Sequence, residues 1–347
     1  MKTIINILRL SAACAASLLM LASCDTDVES IDINQPSIES QNPELYKQYL
    51  GKLKAYKQSA HKIMFAGFDN SNKLPYTQAQ HINAVPDSVD YVILSNPEAI
   101  NEREIKEMNE IREQKGTKSV YVVSFDDIKQ QYIDEKADYD AQKAEEAAEF
   151  VDFKTYLADS VTSRLSYCNR FGFDGVIMAF KGKETITMTE LEKAEYVANS
   201  TLFLGIAKDW AERNAGKELM LQGKPQFYLD QTIFEHAKYI LTPCQDASSA
   251  YGVLSVVQKA CAEGVPADRF VPVVETMSMD TSDKLTGLWS GNVPASLGAA
   301  QVVAAFYPDY TIAGLAVMNI NNDYFNSTFV YPRIRTAISL MNTPVKN

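Results

Sequence analysis

Histidine, cysteine and tryptophan are scarce in this 347-residue chain, which contains 3 histidines, 5 cysteines and 2 tryptophans. The histidines, His61, His81 and His236, have no partner at the spacing of a metal site or a catalytic triad. The sequence therefore predicts no bound metal and no cofactor.

The cysteines do not form the pattern of a disulfide framework. Cys14 and Cys24 lie near the N-terminus, and the other three, Cys168, Cys244 and Cys261, are odd in number and wrongly spaced for zinc. We expect these three to be buried free thiols, because unpaired cysteine is among the most buried residue types.

Positive charge is also in short supply, with 33 lysines and arginines against 44 aspartates and glutamates and a net charge of −11. Binding of a nucleic-acid backbone needs a patch of cations, and the sequence shows none. We therefore expect no nucleic-acid partner.

One apolar segment lies at the N-terminus, where Lys2 and Arg9 precede an apolar run over residues 10–21 and the sequence Leu-Ala-Ser-Cys ends at Cys24. The run is about a dozen residues long, short of the roughly 20 that span a bilayer. The pattern favours a lipoprotein signal peptide over residues 1–23 and a lipid on Cys24; an ordinary signal peptide or a membrane anchor are the alternatives. Removing residues 1–23 takes away two cations and no acid, so the net charge becomes −13.

The acidic residues directly after Cys24 resemble the export tag of surface lipoproteins in Bacteroidetes. That resemblance implies a protein anchored by its N-terminal lipid in the outer membrane and facing the cell exterior. Residues 24–50 are polar, lack periodicity and include Pro36 and Pro43, so we expect a flexible tether there. Residues 51–347 show no further break in composition, which favours a single domain.

Eight short apolar runs alternate with helical segments along this domain, the pattern of repeated strand–helix units. Strands are predicted at 62–68, 89–94, 119–125, 174–180, 218–222, 238–243, 270–275 and 312–320. Helices are predicted at 99–115, 151–170, 189–215, 248–263, 295–306 and 328–342. The acid- and alanine-rich segment 129–149 is expected to add a surface helix after the third strand. The predicted fold is a (β/α)8 TIM barrel.

Ligands of such barrels bind at the C-terminal ends of the strands. The polar residues that follow the predicted strands are rich in amides and acids, which pair with sugar hydroxyls. The candidate ligand-binding residues are Asp69, Asn70, Asn96, Asp126, Lys181, Gln222, Lys224, Gln245, Asp246, Glu275, Asn319 and Asn321. Trp289 and Tyr324 are further candidates that would stack on a sugar face, with ordinary packing as the alternative.

The most informative segment is Phe-Gly-Phe-Asp-Gly-Val-Ile-Met-Ala-Phe-Lys, residues 171–181. It resembles the fourth strand of glycoside hydrolase family 18, which carries Asp-Gly-x-Asp-x-Asp-x-Glu. In that family the last carboxylate protonates the glycosidic oxygen and the Asp before it orients the 2-acetamido group of the substrate. Asp174 and its glycine are kept here, whereas Ile177, Ala179 and Lys181 occupy the later positions.

The resemblance extends over residues 55–342. Residues 89–94 and 314–321 resemble the second and last strands of that family, and residues 240–246 fall where its sixth strand carries Met-x-Tyr-Asp. Asp246 keeps the Asp of this motif, whereas Gln245 replaces the Tyr that supports the acetamido group.

These replacements imply that the reaction of the family is lost, because a lysine is a poor proton donor at neutral pH and neither Ile nor Ala carries a charge. The leading hypothesis is a cell-surface lipoprotein that captures N-glycans or other N-acetylglucosamine-containing glycans without cleaving them. The resemblance also implies action beside a SusC/SusD-like uptake complex. The alternatives are an active endo-β-N-acetylglucosaminidase whose acid is Glu184 or Glu275, and a structural lipoprotein that docks protein partners.

Overall fold

The computed structural model describes residues 38–142, 148–326 and 328–342. The predicted signal peptide and Cys24 lie outside these ranges. The chain divides into a unit that ends at Gln48 and a unit that begins at Tyr49. No helix within the described ranges is long and apolar enough to cross a membrane.

The second unit contains a closed barrel of eight parallel strands, which confirms the predicted fold. Each strand lies within two residues of its prediction, because each apolar run is buried on both faces, against the barrel interior and against the helices. The barrel strands are β1 (Ile63–Phe68), β2 (Tyr91–Leu94), β3 (Lys118–Ser124), β4 (Gly175–Phe180), β5 (Glu218–Gly223), β6 (Ala237–Pro243), β7 (Phe270–Glu275) and β10 (Gly314–Met318). β10 pairs with both β1 and β7 and closes the barrel.

The interior of the barrel is filled by apolar side chains that alternate along the strands with side chains facing the helices. The buried inward-facing residues are Phe65, Tyr91, Ile93, Val120, Ile177, Met220, Leu241, Val271, Val273 and Ala316. The rings of Phe65 and Tyr91 stack with their centroids 4.4 Å apart. The interior is therefore a packed core below the mouth of the barrel.

The helices surround the barrel at or close to their predicted places. They are α3 (Glu102–Glu110, continued by a π-helical turn over Ile111–Lys115), α4 (Phe125–Gln142), α5 (Phe153–Phe171), α6 (Glu190–Arg213), α7 (Ala250–Ala260), α8 (Ala295–Ala304) and α9 (Pro332–Met341). α4 confirms the surface helix after the third strand as far as residue 142, and residues 143–147 lie outside the described ranges. Two two-residue strands, β8 (Leu288–Trp289) and β9 (Val293–Pro294), form a small hairpin between β7 and α8.

The expectation of a flexible tether up to residue 50 is wrong for its last part. A short helix, α1, spans Ile38–Gln41, and α2 spans Pro43–Gln58. Pro43 occupies the first position of α2, where its fixed φ favours a helix, and Asn42 Oδ1 accepts a hydrogen bond of 3.1 Å from the backbone N–H of Leu45. Leu53 of the same helix is buried. Helix-starting signals therefore override the polar composition from Pro43 onwards.

The free cysteines divide into two buried thiols, Cys168 and Cys244, and Cys261, which is half-buried. The prediction of burial is thus confirmed for the first two.

A cluster of charges lies at the N-terminal end of the barrel, opposite the expected ligand-binding end. Glu218, at the start of β5, accepts a hydrogen bond of 2.7 Å from the Tyr91 hydroxyl and hydrogen bonds from the ammonium groups of Lys118 and Lys238. Burial raises the pKa of Glu218, but the hydrogen bonds from the two lysines outweigh burial and leave this pKa below its usual value. The cluster seals the lower end of the apolar interior with paired charges.

Candidate functional site

The mouth of the barrel is defined by the residues that face inward at the C-terminal ends of the strands. Ser124, Ala179 and Gln222 are register partners on β3, β4 and β5, so they lie at one level of the barrel. Because side chains alternate along a strand, they face the same side as the buried Ile177 and Met220 below them. The polar lining of the mouth begins one level above the apolar core.

The fourth strand presents no carboxylate to the interior. Ile177 is completely buried among the apolar side chains of the core, and Ala179 is half-buried above it. Lys181 follows the end of β4 and is exposed at the mouth. The inward-facing side chains of this strand are therefore apolar, and the residue that follows them at the mouth is a lysine.

Asp174, which the sequence placed at the start of the fourth-strand motif, lies at the other end of the strand. Its carboxylate accepts hydrogen bonds of 2.7 and 3.0 Å from Arg112 and one of 2.8 Å from the backbone N–H of Ser119. Asp174 thus joins the start of β4 to β3 and to the turn after α3. Its contacts are structural, and it is remote from the mouth.

The carboxylate best placed for chemistry at the mouth is Glu275, at the end of β7. It faces inward, because Val271 and Val273 of the same strand belong to the buried interior. Burial raises the pKa of Glu275, and the nearby charges of Asp246 and Asp283 raise it further. Among the described residues, no group of three histidine, cysteine, aspartate or glutamate side chains is arranged to hold a metal.

Lys181, Glu184 and Asp126 line one cavity of about 760 Å³ beside the mouth. The cavity is bounded by the first turns of α4, the loop after β4, one face of α6 and the loop after β5. Lys224, a candidate from the end of β5, lines the same cavity. The structure thus brings together four residues that the sequence placed after three different strands.

Asn70 is buried, with 3% of its surface exposed, and it connects two strand-end loops. Its side-chain amide donates to the backbone carbonyl of Asn96 and to the carboxylate of Glu104, and its Oδ1 accepts from the Asn96 backbone N–H at 2.8 Å. Because its side chain is buried and forms these hydrogen bonds, Asn70 holds the two loops together. Asn96 is half-buried and its side chain remains available at the mouth.

Asn321 holds the loop after β1 against the loop after β10. Its Oδ1 accepts a hydrogen bond of 2.8 Å from the Asp69 backbone N–H, and its Nδ2 donates to the carbonyl oxygens of Asp69 and Ala79 at 3.3 and 3.1 Å. Asn319 has a left-handed backbone, with φ of 58°, and its carbonyl accepts a hydrogen bond of 2.6 Å from the Thr276 hydroxyl. The side chains of Asp69 and Asn319 remain exposed, as do Gln245 and Asp246 after β6.

The two aromatic residues proposed from the sequence to stack on a sugar pack within the protein. Trp289 is 7% exposed and lies against α8, so close that a Cβ added at Gly298 would come within 2.2 Å of its ring. Tyr324 is half-buried, with its ring edge-on to Tyr331 at 5.2 Å. In both cases the packing alternative fits better, because a bulky ring next to a glycine or a tyrosine fills space in the fold.

The sequence prediction missed two exposed aromatic residues at the same end of the barrel. Tyr76, in the loop after β1, is 81% exposed, and Phe325, in the loop after β10, is 61% exposed. Asn321 links these two loops. An aromatic ring in a polar, turn-rich loop was the available signal, and exposed rings of this kind stack on the apolar faces of sugars.

Comparisons with known proteins agree with this geometry. The model of the family described as glycoside hydrolase family 18, BT1044-like, matches residues 26–340. No curated protein matches the sequence.

Among solved structures, a selenomethionine form of BT1044 with a glutamate-to-glutamine substitution is similar, with a TM-score of 0.59 and 16% identity over 88% of this chain and 95% of that one. Endo-β-N-acetylglucosaminidase from Cordyceps militaris in its apo form has a TM-score of 0.59 and 13% identity over 85% and 96% of the two chains. A double variant of that enzyme in complex with fucosyl-N-acetylglucosamine-Asn has a TM-score of 0.58 and 12% identity over 84% and 95%. At these identities the similarity establishes a shared fold.

Proposed function

Because the chain belongs to glycoside hydrolase family 18, in its BT1044-like group, we propose that it binds N-acetylglucosamine-containing glycans, N-glycans in particular, at the mouth of the barrel without hydrolysing them. The observation that carries this proposal is the fourth strand. Cleavage in this family needs a protonated carboxyl over the glycosidic oxygen and a second carboxylate that orients the acetamido group. Ile177, Ala179 and Lys181 supply neither group.

The apolar surroundings of Ile177 support the proposed loss of catalysis, because the core is packed around this residue. A carboxylate at this level of the barrel would need hydrogen-bond donors, and the neighbours of Ile177 across the strands are Val122 and Met220. Hydrocarbon therefore fills the interior around Ile177, the position where the family motif has its second aspartate, two residues before the one that orients the acetamido group. Meanwhile Gln222, Asn96 and the exposed acids at the strand ends keep the polar groups that bind sugar hydroxyls.

One observation favours the second candidate function, hydrolysis with Glu275 as the acid. Glu275 faces the mouth, and its raised pKa is the property a general acid needs. Asp246, whose charge contributes to that shift, would be the second carboxylate. Glu184 is exposed in the side cavity and lacks this environment. If the protein is active, we therefore assign the acid to Glu275.

The proposal also includes the cellular setting that the N-terminal sequence favours. A lipid on Cys24 would hold the barrel at the outer membrane, facing the exterior, where it would deliver captured glycans to a SusC/SusD-like uptake complex. Of the segment between Cys24 and the barrel, residues 38–41 and 43–58 are helical.

The test combines calorimetry with mass spectrometry on the same N-glycopeptide. We expect calorimetry to show heat of binding, and mass spectrometry to show an intact glycan after prolonged incubation. Trimming of the glycan that disappears in Glu275→Gln would overturn the proposal in favour of hydrolysis, whereas trimming that disappears only in Glu184→Gln would assign the acid to the side cavity. Absence of heat with high-mannose, complex and N-acetylglucosamine oligosaccharides would favour a protein-docking role.

A further inference from the structure

We propose that the cavity beside the mouth binds the carboxylate of an acidic sugar at the end of a captured glycan. This inference rests on the proposed glycan binding and adds a second, charge-selective site to it. The cavity has a volume of about 760 Å³, large enough for one or two sugar rings. It lies next to the strand ends, so a glycan at the mouth can extend into it.

Four lysines line this cavity in a chain with a surplus of acids. They are Lys129 on α4, Lys181 and Lys183 after β4, and Lys224 after β5. None of their ammonium groups forms an ion pair or a hydrogen bond with another described residue. Elsewhere lysines such as Lys73, Lys115 and Lys118 are paired with acids at 2.9 Å or less. Because four acids line the same cavity, these lysines act as local hydrogen-bond donors to an anionic group and not through a net positive field.

An uncommitted polar group lies on the wall of the cavity as well. Asn199 of α6 is only 8% exposed, lines the cavity, and makes no side-chain hydrogen bond with another described residue. Its amide atoms reach the solvent of the cavity, where they can bind a hydroxyl or a carboxylate of a ligand. Tyr196 and Phe227, both half-buried, add aromatic surface to the same wall, which suits the apolar face of a sugar ring.

The balance of charges selects a sugar with a single carboxylate over a polyanion. Asp126, Glu184, Glu192 and Glu195 line the cavity with the four lysines. The carboxylate of Glu192 caps the start of α6, where it accepts hydrogen bonds of 2.8 Å from the backbone N–H and the hydroxyl of Thr189. The remaining acids would repel a run of sulfates, but they are good acceptors for the hydroxyls of an acidic sugar.

The experiment compares a biantennary N-glycopeptide that ends in sialic acid with the same glycopeptide after enzymatic removal of sialic acid. A sulfated glycosaminoglycan hexasaccharide is the polyanion probe. Binding to the full-length protein is measured by calorimetry at low and at high salt. We expect the sialylated form to bind about 3- to 10-fold more tightly at low salt, with a smaller advantage at high salt, because these ammonium groups are solvent-exposed.

The double variant Lys181→Gln/Lys224→Gln should lose this advantage. The matched control Lys106→Gln/Lys259→Gln removes the same charge from exposed helix positions that do not line the cavity, and it should keep the advantage. Circular dichroism checks that all variants are folded.

Equal affinity for the two glycopeptides would overturn the acidic-sugar site and leave the proposed glycan binding intact. Tighter binding of the sulfated hexasaccharide would overturn the single-carboxylate assignment. Absence of binding by every glycan would refute the proposed function and this site with it.

Discussion

Restoring the missing carboxylate in the core of the barrel should destabilise the protein strongly. Ile177 stands where the family motif has an aspartate, and it is completely buried among apolar residues. Ile177→Asp loses the burial of the isoleucine side chain, worth about 2–3 kcal/mol. Apolar surroundings shift the pKa of a buried carboxyl by up to about 3–5 units. At pH 7, keeping the new aspartate protonated or burying its charge costs about 4 kcal/mol more.

The assay is urea denaturation between pH 4 and pH 8, with Ile177→Asn as the matched control. The two side chains have nearly the same shape, and only Asp titrates. A buried aspartate has a folded-state pKa above its unfolded value, so its penalty appears as the pH rises above about 4 and grows until the folded-state pKa is reached. Ile177→Asp should therefore fall below Ile177→Asn by about 1.4 kcal/mol per pH unit over that window.

The opposite result would show that Ile177 lies in polar surroundings. If Ile177→Asp does not lose stability relative to Ile177→Asn as the pH rises, the aspartate is solvated or paired, and the interior at β4 is a polar site. The barrel would then still accept a carboxylate at the second aspartate of the motif, and Ile177 would say little about binding without cleavage.

Two further predictions concern residues outside the mouth. Trp289→Ala should lower the free energy of unfolding by about 3–5 kcal/mol in urea denaturation, because the ring fills the space beside Gly298. It should leave the glycan affinity measured by calorimetry within twofold of wild type. A large loss of affinity in a folded variant would return Trp289 to the binding site. Glu218→Gln should lower the free energy of unfolding by about 2 kcal/mol at pH 7. This is less than the cost of breaking a fully buried ion pair, because the partner lysines are more than a third exposed. The lowered pKa of Glu218 means that its contribution is fully present above an unfolded pKa of about 4.3 and is lost as the pH falls through the folded-state pKa. The gap between variant and wild type should therefore narrow in acid. A gap that does not narrow at all below pH 4 would show that the carboxylate charge is not its source.

The strands of the barrel were predictable from the sequence because local physics and the final fold agree there. Residues 176–180, for example, form an apolar run after a glycine, and the run lies in the barrel wall. The hairpin at Leu288–Trp289 and Val293–Pro294 was not predicted, because two residues per strand give no periodicity. The helix beginning at Pro43 was missed because its composition is polar, and its starting signals were not given enough weight.

The roles of the strand-end residues were harder to predict, because a polar residue after a strand serves either a ligand or a neighbouring loop. The side chains of Asn70 and Asn321 both form hydrogen bonds between loops, and the partners are distant in sequence. The lysine-lined cavity likewise draws residues from α4, the loop after β4 and the loop after β5. Such a grouping is set by the closure of the barrel and leaves no spacing pattern in the chain.

Binding without cleavage is best checked by mass spectrometry of an N-glycopeptide. The glycopeptide is incubated for a prolonged time with the protein at a concentration that shows binding in calorimetry. We predict that the glycan stays intact on the peptide. A peptide left with a single N-acetylglucosamine by the wild-type protein, but not by Glu275→Gln, would contradict it and identify a working hydrolase.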